Sequence, residues 1–237
     1  KLEMVLFFIN MVFYLLAIKG NSSIIFLSVM DSRLHVPMYF FFCNLSLLDM
    51  CYTTSSIPQI LINLWGSSKT ITYVGCVIQL SAFLSVGGTE CILLSIMAYD
   101  RFVAVCKPLH YMAIMHPQLC LQLAAFGWLS GMVNSILMSP LMMSLGLCGQ
   151  RRITHFVCEM SAIIRISCMD TRHVEGLAFF LAIPIVLVPL STILVSYSYI
   201  AVKVAGIRSA AGRRKAFNTC SSHMALVSLF YSSSISM

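Results

Sequence analysis

A few charged side chains stand inside sequence that is otherwise apolar. Asp49 and Glu90 each lie within an apolar run, and Asp100 and Arg101 stand side by side at the end of another. A carboxylate at the middle of a membrane costs roughly 2.5 to 3.5 kcal/mol, so acids in such positions are candidates for function. Hard oxygen ligands of this kind suit a cation such as Na⁺. The alternative is a pair of neutral acids that are hydrogen-bonded to nearby Asn and Ser side chains.

The Asp100–Arg101 pair belongs to the stretch MAYDRFVAVCKPLHY, residues 97–111. In a soluble protein such a pair would mark an ordinary helix end. The apolar segments on either side are too long for a soluble helix, so we expect the pair to lie at a membrane face. A packing role and a functional role are both open for it at this point.

Composition indicates a membrane protein. The chain is 59% hydrophobic and only 10% charged, and its mean hydropathy is +0.91, whereas soluble domains carry about 25% charged residues. The net charge of +7 would also suit a nucleic-acid-binding protein. However, the charges lie in short patches between apolar runs, as juxtamembrane charges do.

The apolar runs predict an all-α membrane protein with a single helical domain over residues 1–237. We expect six membrane spans, at about 2–29, 38–63, 76–106, 119–141, 174–204 and 216–237. Lys19, Gly20 and Asn21 interrupt the first span, and prolines within later spans are expected to kink the helices without ending them. Apolar sequence at both ends indicates a piece of a longer chain.

Loop charges predict the orientation. Eight Lys and Arg residues fall on one side of the predicted membrane and five on the other. The positive-inside rule therefore places the Asp100–Arg101 pair on the cytoplasmic side and residue 1 outside. The eight are Arg33, Arg101, Lys107, Lys203, Arg208, Arg213, Arg214 and Lys215.

The predicted outer side carries Cys76, Cys148, Cys158 and Cys168. Disulfides persist in an oxidising compartment, and four cysteines allow three pairings between which the sequence does not choose. The segment His155-x-x-Cys158-Glu159 is an alternative metal-binding motif, but there is no HExxH motif.

Two further features leave alternatives open. Gly87 and Gly88 permit either close helix packing or space for a ligand beside Phe83, Leu84 and Cys91. The acids Asp49 and Glu90 would suit a transporter or a channel, although no internal repeat supports a repeat-built transporter. No catalytic constellation is present, so the sequence does not predict an enzyme.

Five stretches, in this order, are similar to the olfactory receptors, which are rhodopsin-like (class A) G-protein-coupled receptors. They are Gly20-Asn21, PMYFFFCNLSLLD (residues 37–49), MAYDRFVAVCKPLHY, Ser196-Tyr197 with Ile200, and KAFNTCSSH (residues 215–223). Phe102 stands where Tyr is commoner in the family. The resemblance covers nearly the whole chain.

The resemblance implies a seven-transmembrane helix bundle, of which six spans are present, in the plasma membrane with its N-terminus outside. It implies a small, volatile odorant as ligand and a stimulatory olfactory G protein as partner. A chain without the seventh helix is not expected to signal normally. The residues implied in the activation switch and G-protein coupling are Asp100, Arg101, Tyr197, Lys215 and His223.

The resemblance also implies two disulfides, Cys76–Cys158 and Cys148–Cys168, and a sodium site at Asp49 and Glu90. The odorant contacts that it implies come from the third, fifth and sixth spans and form a mostly apolar wall, which suits weakly polar ligands. They are Phe83, Leu84, Gly87, Gly88, Leu181, Ile185, Tyr231, Ser234 and Ile235.

Overall fold

The computed structural model describes residues 2–66, 70–145, 157–207 and 209–236, and most of them are helical. This confirms the all-α fold class. The helices are α1 (Leu2–Met30), α2 (Pro37–Trp65), α3 (Tyr73–Cys106), α4 (Tyr111–Ile114), α5 (Pro117–Met143), α6 (Met160–Ile166), α7 (Arg172–Ala182), α8 (Val188–Ala205) and α9 (Ala210–Ser236). A π-helical turn, Ile183–Leu187, joins α7 to α8.

Four segments of the described chain are long and apolar enough to cross a membrane: Leu2–Met30, Tyr73–Cys106, Pro117–Met143 and Arg172–Ala205. The helices α2 and α9 are 29 and 27 residues long but less apolar. The count of six spans therefore stays a prediction.

The first helix is continuous through the expected interruption at Lys19, Gly20 and Asn21. Polar side chains there bond back to their own helix. The amide of Asn21 donates to the carbonyl of Ala17 at 3.1 Å, and the hydroxyl of Ser23 donates to the carbonyl of Lys19 at 2.7 Å. Such local bonds satisfy polar groups without ending the helix.

The prolines do not end the helices that contain them. Pro58 and Pro140 lie inside α2 and α5, and Pro184 lies in the π-helical turn. In that turn the N–H of Val188 bonds to the carbonyl of Ile183, five residues earlier. Proline has no N–H to donate, but the wider turn keeps the segment helical from Arg172 to Ala205.

Two elements extend beyond the predicted pattern. The last helix begins at Ala210 and not at 216, and its first turns carry Arg213 and Arg214. Helices can continue past an apolar segment into water, where charged side chains are solvated, so hydropathy alone misses this extension. The helix α6 lies between the fourth and fifth predicted spans, where the apolar pattern predicts no membrane helix.

The helix α3 is the centre of the fold. It packs against α2, α5, α8 and α9, whereas α1 packs mainly against α2. More than half of the most apolar window of α3 is buried, at 56%, against none of that of α1. The core around its second half includes the fully buried side chains of Phe41, Leu48 and Leu93.

Small residues bring α3 and α5 together. The Cα of Gly131 lies 3.4 Å from where a Cβ on Gly88 would stand. Hydroxyls complete the contact, because Ser135 donates to the carbonyl of Ser81 at 2.8 Å and Ser81 donates to Ser139 at 2.9 Å. Close approach of backbones and interhelical hydrogen bonds are the main sources of helix association in lipid.

Gly131→Ala should destabilise the fold. A Cβ at this position would overlap Thr89 Oγ1 and the carbonyl oxygen of Ser85. Because one obstacle is backbone, the helices must separate, and overpacking of this kind costs about 1 to 3 kcal/mol. Thermal unfolding of the purified protein in detergent measures the loss.

The control is Gly87→Ala, since a Cβ there meets nothing within 4 Å. Alanine is also the better helix former by about 1 kcal/mol, so the melting temperature should stay constant or rise. Equal stability of the Gly131→Ala variant and the parent protein would contradict the close packing of α3 against α5.

Candidate functional site

The predicted ion pair forms at the Cys106 end of α3. Both Nε and Nη2 of Arg101 donate to Oδ2 of Asp100, at 3.1 and 2.5 Å. The side chains of Arg101 and Asp100 are 8% and 1% exposed. Removing one partner of a charged pair this deeply buried strongly destabilises the folded protein, because the other charge is then left without compensation.

A third side chain completes this group. The hydroxyl of Tyr111, at the start of α4, donates to Oδ1 of Asp100 at 2.8 Å. Burial raises the pKa of this hydroxyl, and the hydrogen bond to Asp100 raises it further. The phenol therefore stays protonated and acts as a donor at physiological pH.

Two more predicted residues meet beside the ion pair. The hydroxyl of Tyr197 on α8 and Nδ1 of His223 on α9 lie 2.5 Å apart, and the rings stack with centroids 5.8 Å apart. His223 is fully buried, and its ring lies beside the backbone of Leu94. Arg101 is close enough to influence both side chains electrostatically. The side chain of Lys215 is outside the described part of the structure.

The predicted ligand residues lie toward the Cys76 end of α3. The ring of Phe83 lies 5.2 Å from that of Tyr52 on α2. A Cβ on Gly88 would contact Ile185 Cγ2 of the π-helical turn at 3.4 Å, whereas one on Gly87 would enter open space. Gly88 therefore fits the alternative of close helix packing, and Gly87 fits the alternative of space for a ligand.

The remaining ligand candidates are distributed over both core clusters. Leu84 and Leu181 pack against the cluster around Cys76 and Cys158, and Tyr231 on α9 packs against the larger cluster. The hydroxyl of Tyr231 is buried and lies beside the thiol of Cys91. The side chains of Ser234 and Ile235 are outside the described residues.

The two intramembrane acids interact but form no closed metal site. Asp49 on α2 is exposed and Glu90 on α3 is half-buried, and the two carboxylates influence each other electrostatically. Within the described residues there is no group of three or more His, Cys, Asp or Glu side chains that could hold a metal ion. Carboxylates from two adjacent helices can supply part of a sodium site.

One predicted disulfide is present, between Cys76 and Cys158. Beside it, Oε1 of Gln79 accepts a hydrogen bond from the backbone N–H of Cys158 at 2.8 Å. Gln79 is 2% exposed, so the segment before α6 is fixed to α3 by a covalent bond and a buried hydrogen bond. Cys168 is also disulfide-bonded, but Cys148, its predicted partner, lies outside the described residues.

Sequence reasoning missed Tyr111 and Gln79 as members of these groups. Tyr111 is the last residue of the MAYDRFVAVCKPLHY stretch, but nothing in the spacing indicates that the chain turns back and brings it to Asp100. The position of Gln79, three residues after Cys76, places it on the same helix face as the disulfide. That spacing could have indicated its role.

Comparison with known proteins gives a consistent result. The family model for "olfactory receptor" matches residues 10–237. Human olfactory receptor 2W1 is 51% identical over the whole chain, which covers 74% of that receptor. Human olfactory receptor 2W3 is 54% identical over 236 residues, and the match covers 75% of that receptor. Mouse olfactory receptor 2C1 is 53% identical over 99% of the chain and 75% of its own length.

These matches decide between the function classes left open by the sequence. The matching family consists of membrane receptors that bind odorants and couple to G proteins, not of enzymes. Nothing in the comparisons supports a transporter or a channel. With a family match over nearly its whole length and relatives above 50% identity, the chain belongs to the olfactory receptor family of G-protein-coupled receptors.

Proposed function

We propose that this receptor binds small, volatile, mostly apolar odorants near the Cys76 end of the bundle and activates a stimulatory olfactory G protein at the Cys106 end. The observation that carries the proposal is the buried Asp100–Arg101 pair beside the Tyr197–His223 contact. The two groups lie together where α3, α8 and α9 meet, and a movement of α9 changes the surroundings of both.

The receptor lies in the plasma membrane with its N-terminus outside. The excess of Lys and Arg on the Cys106 side supports this orientation. The disulfide between Cys76 and Cys158 at the opposite end supports it too, because such bonds persist in an oxidising compartment.

Activation exchanges the partners of Arg101. At rest its guanidinium is satisfied by Asp100, and Tyr197 is held by His223. Outward movement of α9 would carry His223 away and free the hydroxyl of Tyr197, which then accepts a hydrogen bond from Arg101. Ligands shift such an equilibrium only by their difference in affinity for the two states.

The G protein would dock on the connection after α3. Leu109 is 95% exposed and Met112 is 69% exposed in this connection, and exposed apolar side chains of this kind mark protein interaction surfaces. Lys107 and Lys203, both exposed, stand nearby on the same predicted side. An acidic and apolar surface on the partner would complement them.

Odorant binding would use the space beside Gly87. Phe83 and Leu84 lie on the same helix, and Leu181 packs against the same core cluster as Leu84. Ile185 of the π-helical turn lies against the neighbouring Gly88. Among its described side chains the wall is apolar apart from the buried hydroxyl of Tyr231. It suits a ligand with one weakly polar group.

Arg101→Ala should abolish the odorant response while odorant binding persists, because the guanidinium is needed in the active state and lies far along α3 from the ligand wall. The measurement is odorant-stimulated nucleotide exchange on the G protein by the full-length receptor, together with odorant binding to the same membranes. Arg33→Ala is the control, since Arg33 is an exposed cation on the same predicted side. A full response from the Arg101→Ala variant would refute the switch.

Gly87→Leu should narrow the range of active odorants. The side chain would enter open space, so the largest active odorants should lose potency by roughly tenfold or more, equivalent to about 1.4 kcal/mol. Small odorants should be affected less. A dose–response panel of odorants graded by size measures this. Gly20→Leu is the control, because a Cβ on Gly20 also meets nothing within 4 Å but lies on α1.

Sodium binding is the third testable part of the proposal. If Asp49 and Glu90 share Na⁺, then NaCl should raise the melting temperature of the receptor above that measured in an equal concentration of choline chloride. Asp49→Asn should remove this difference. Asp170→Asn is the control, since Asp170 is exposed near the Cys76 end. A sodium-dependent shift that persists in Asp49→Asn would contradict the site.

A further inference from the structure

Lys19 is a cation in the middle of a membrane helix. It is the only charged residue between Glu3 and the end of α1 at Met30. With a rise of about 1.5 Å per residue, it lies about 16 Å along the axis from Met30, which is about half the thickness of a hydrocarbon core of about 30 Å. The charged residues Asp31 and Arg33 follow α1 directly, so this end of the helix leaves the apolar layer near Met30.

The ammonium of Lys19 does not reach the membrane surface at low cost. The four-carbon stem of lysine is too short to span that distance. Sliding α1 along its axis would shorten the distance, but it would also move exposed apolar side chains out of the membrane. Charged side chains at such depth are costly and are almost always paired, so Lys19 needs an anionic partner at its own depth. The side chains that would leave the membrane are those of Ile24, Phe26, Leu27, Val29 and Met30.

Lys19 faces away from α2, the helix against which α1 mainly packs. The residues Tyr14, Asn21 and Ser28 recur every seven positions along α1 and are half-buried or buried. Because Lys19 follows Tyr14 by five residues on a helix of about 3.6 residues per turn, it lies on nearly the opposite face. Its side chain is exposed, and Leu15, one turn away on that face, is 58% exposed.

The described part of the receptor gives Lys19 no anionic partner. Lys19 forms no ion pair with any residue that the structure describes. Of the two intramembrane acids, Asp49 acts electrostatically on Glu90, and Lys19 acts on neither. A second copy of the receptor does not supply the charge either, because a symmetric contact through this face would bring two Lys19 side chains together.

The same face allows another helix to approach closely. Ser23 lies one turn from Lys19, and its hydroxyl donates to the Lys19 carbonyl at 2.7 Å. The hydroxyl is thus satisfied within α1, and only a small side chain stands on the surface. Small residues at helix contacts let backbones approach each other in lipid, which shortens the distance from a neighbouring helix to the ammonium.

We propose that this face of α1 is an interaction surface for a transmembrane helix of another protein, in which a carboxylate at the middle of the membrane pairs with the Lys19 ammonium. The two charges compensate each other in lipid. The partner is defined by its chemistry, as an apolar helix with one Asp or Glu near its centre. The proposed odorant and G-protein sites do not use this face, so the inference does not depend on the proposed function.

A designed peptide tests this surface. It is an apolar helix of about 20 residues with one central Glu. The peptide carries a fluorescent acceptor and is incorporated, with donor-labelled full-length receptor, into vesicles of phosphatidylcholine. The matched peptide has Gln in place of Glu. At neutral pH, energy transfer should show the Glu peptide binding about tenfold more tightly than the Gln peptide, since one polar contact between helices in lipid changes association by about this factor.

Receptor variants show whether Lys19 carries this preference. Lys19→Leu should bind both peptides equally, and it should fold at least as well as the parent receptor because it removes a charge from the apolar layer. Lys19→Arg keeps the charge and should retain most of the preference. Lys203→Leu is the control and should retain all of it, since Lys203 is also an exposed lysine but lies in the last turn of α8.

Charge reversal separates ion pairing from a general change in the surface. Lys19→Glu should prefer a peptide with a central Lys over the peptide with a central Glu. Equal binding of the Glu and Gln peptides to the parent receptor would show that Lys19 is already compensated and would overturn the inference, as would a preference that persists in Lys19→Leu. Energy transfer between receptor copies that falls in Lys19→Leu, with no preference among the peptides, would assign the face to self-association and also overturn it.

Discussion

Burial of charge is the constraint on which the rest of this structure depends. A membrane-buried charge needs a partner within reach, and Asp100 and Arg101 provide one for each other at the Cys106 end of α3. Adjacent residues on a helix do not face one another, so the long Arg101 side chain must fold back to reach the carboxylate. The pair is therefore contained within one helix and does not bind α3 to α8 or α9. Opening the bundle at this end requires new partners for Arg101 but does not require an interhelical salt bridge to break.

The remainder of the fold holds α3 in place around that pair. Gly88 and Gly131 let α3 and α5 approach closely, and serine hydroxyls bond across the contact. At the opposite end, the Cys76–Cys158 disulfide and the Gln79 hydrogen bond fix the segment before α6 to α3. A ligand near Gly87 would contact the helix that carries the Asp100–Arg101 pair. The neighbouring residue, Gly88, lies against Ile185 of the segment that carries Tyr197. These contacts form a contiguous physical route between the two ends of the bundle.

Much of this could be predicted from the sequence, for physical reasons that differ between residues. Long apolar runs are rare because water makes their exposure costly, so they indicate a membrane fold directly. Charged side chains within such runs are rare because lipid makes them costly, so they mark Asp49, Glu90 and the Asp100–Arg101 pair as candidates for function. The five motifs then indicated the family, which the comparisons confirmed.

Contacts made across turns could not be predicted: Tyr111 reaches Asp100 only because Pro108–His110 reverses the chain. The different surroundings of Gly87 and Gly88 depend on the rotation of α3, which a pair of adjacent glycines does not specify. The extension of α9 to Ala210 was missed because hydropathy records burial in lipid and not helix length.

The central claim is that odorant binding moves α9 away from α3 and releases Arg101 from its resting contact. The most direct test is a distance measurement by pulsed electron paramagnetic resonance between spin labels at Lys107 and Phe217, both of which are exposed. We expect a short distance between the two spin labels in the odorant-free receptor. With saturating odorant and G protein, a second population should appear at a distance longer by several ångströms. An unchanged distance distribution in a receptor that still activates its G protein would contradict the account.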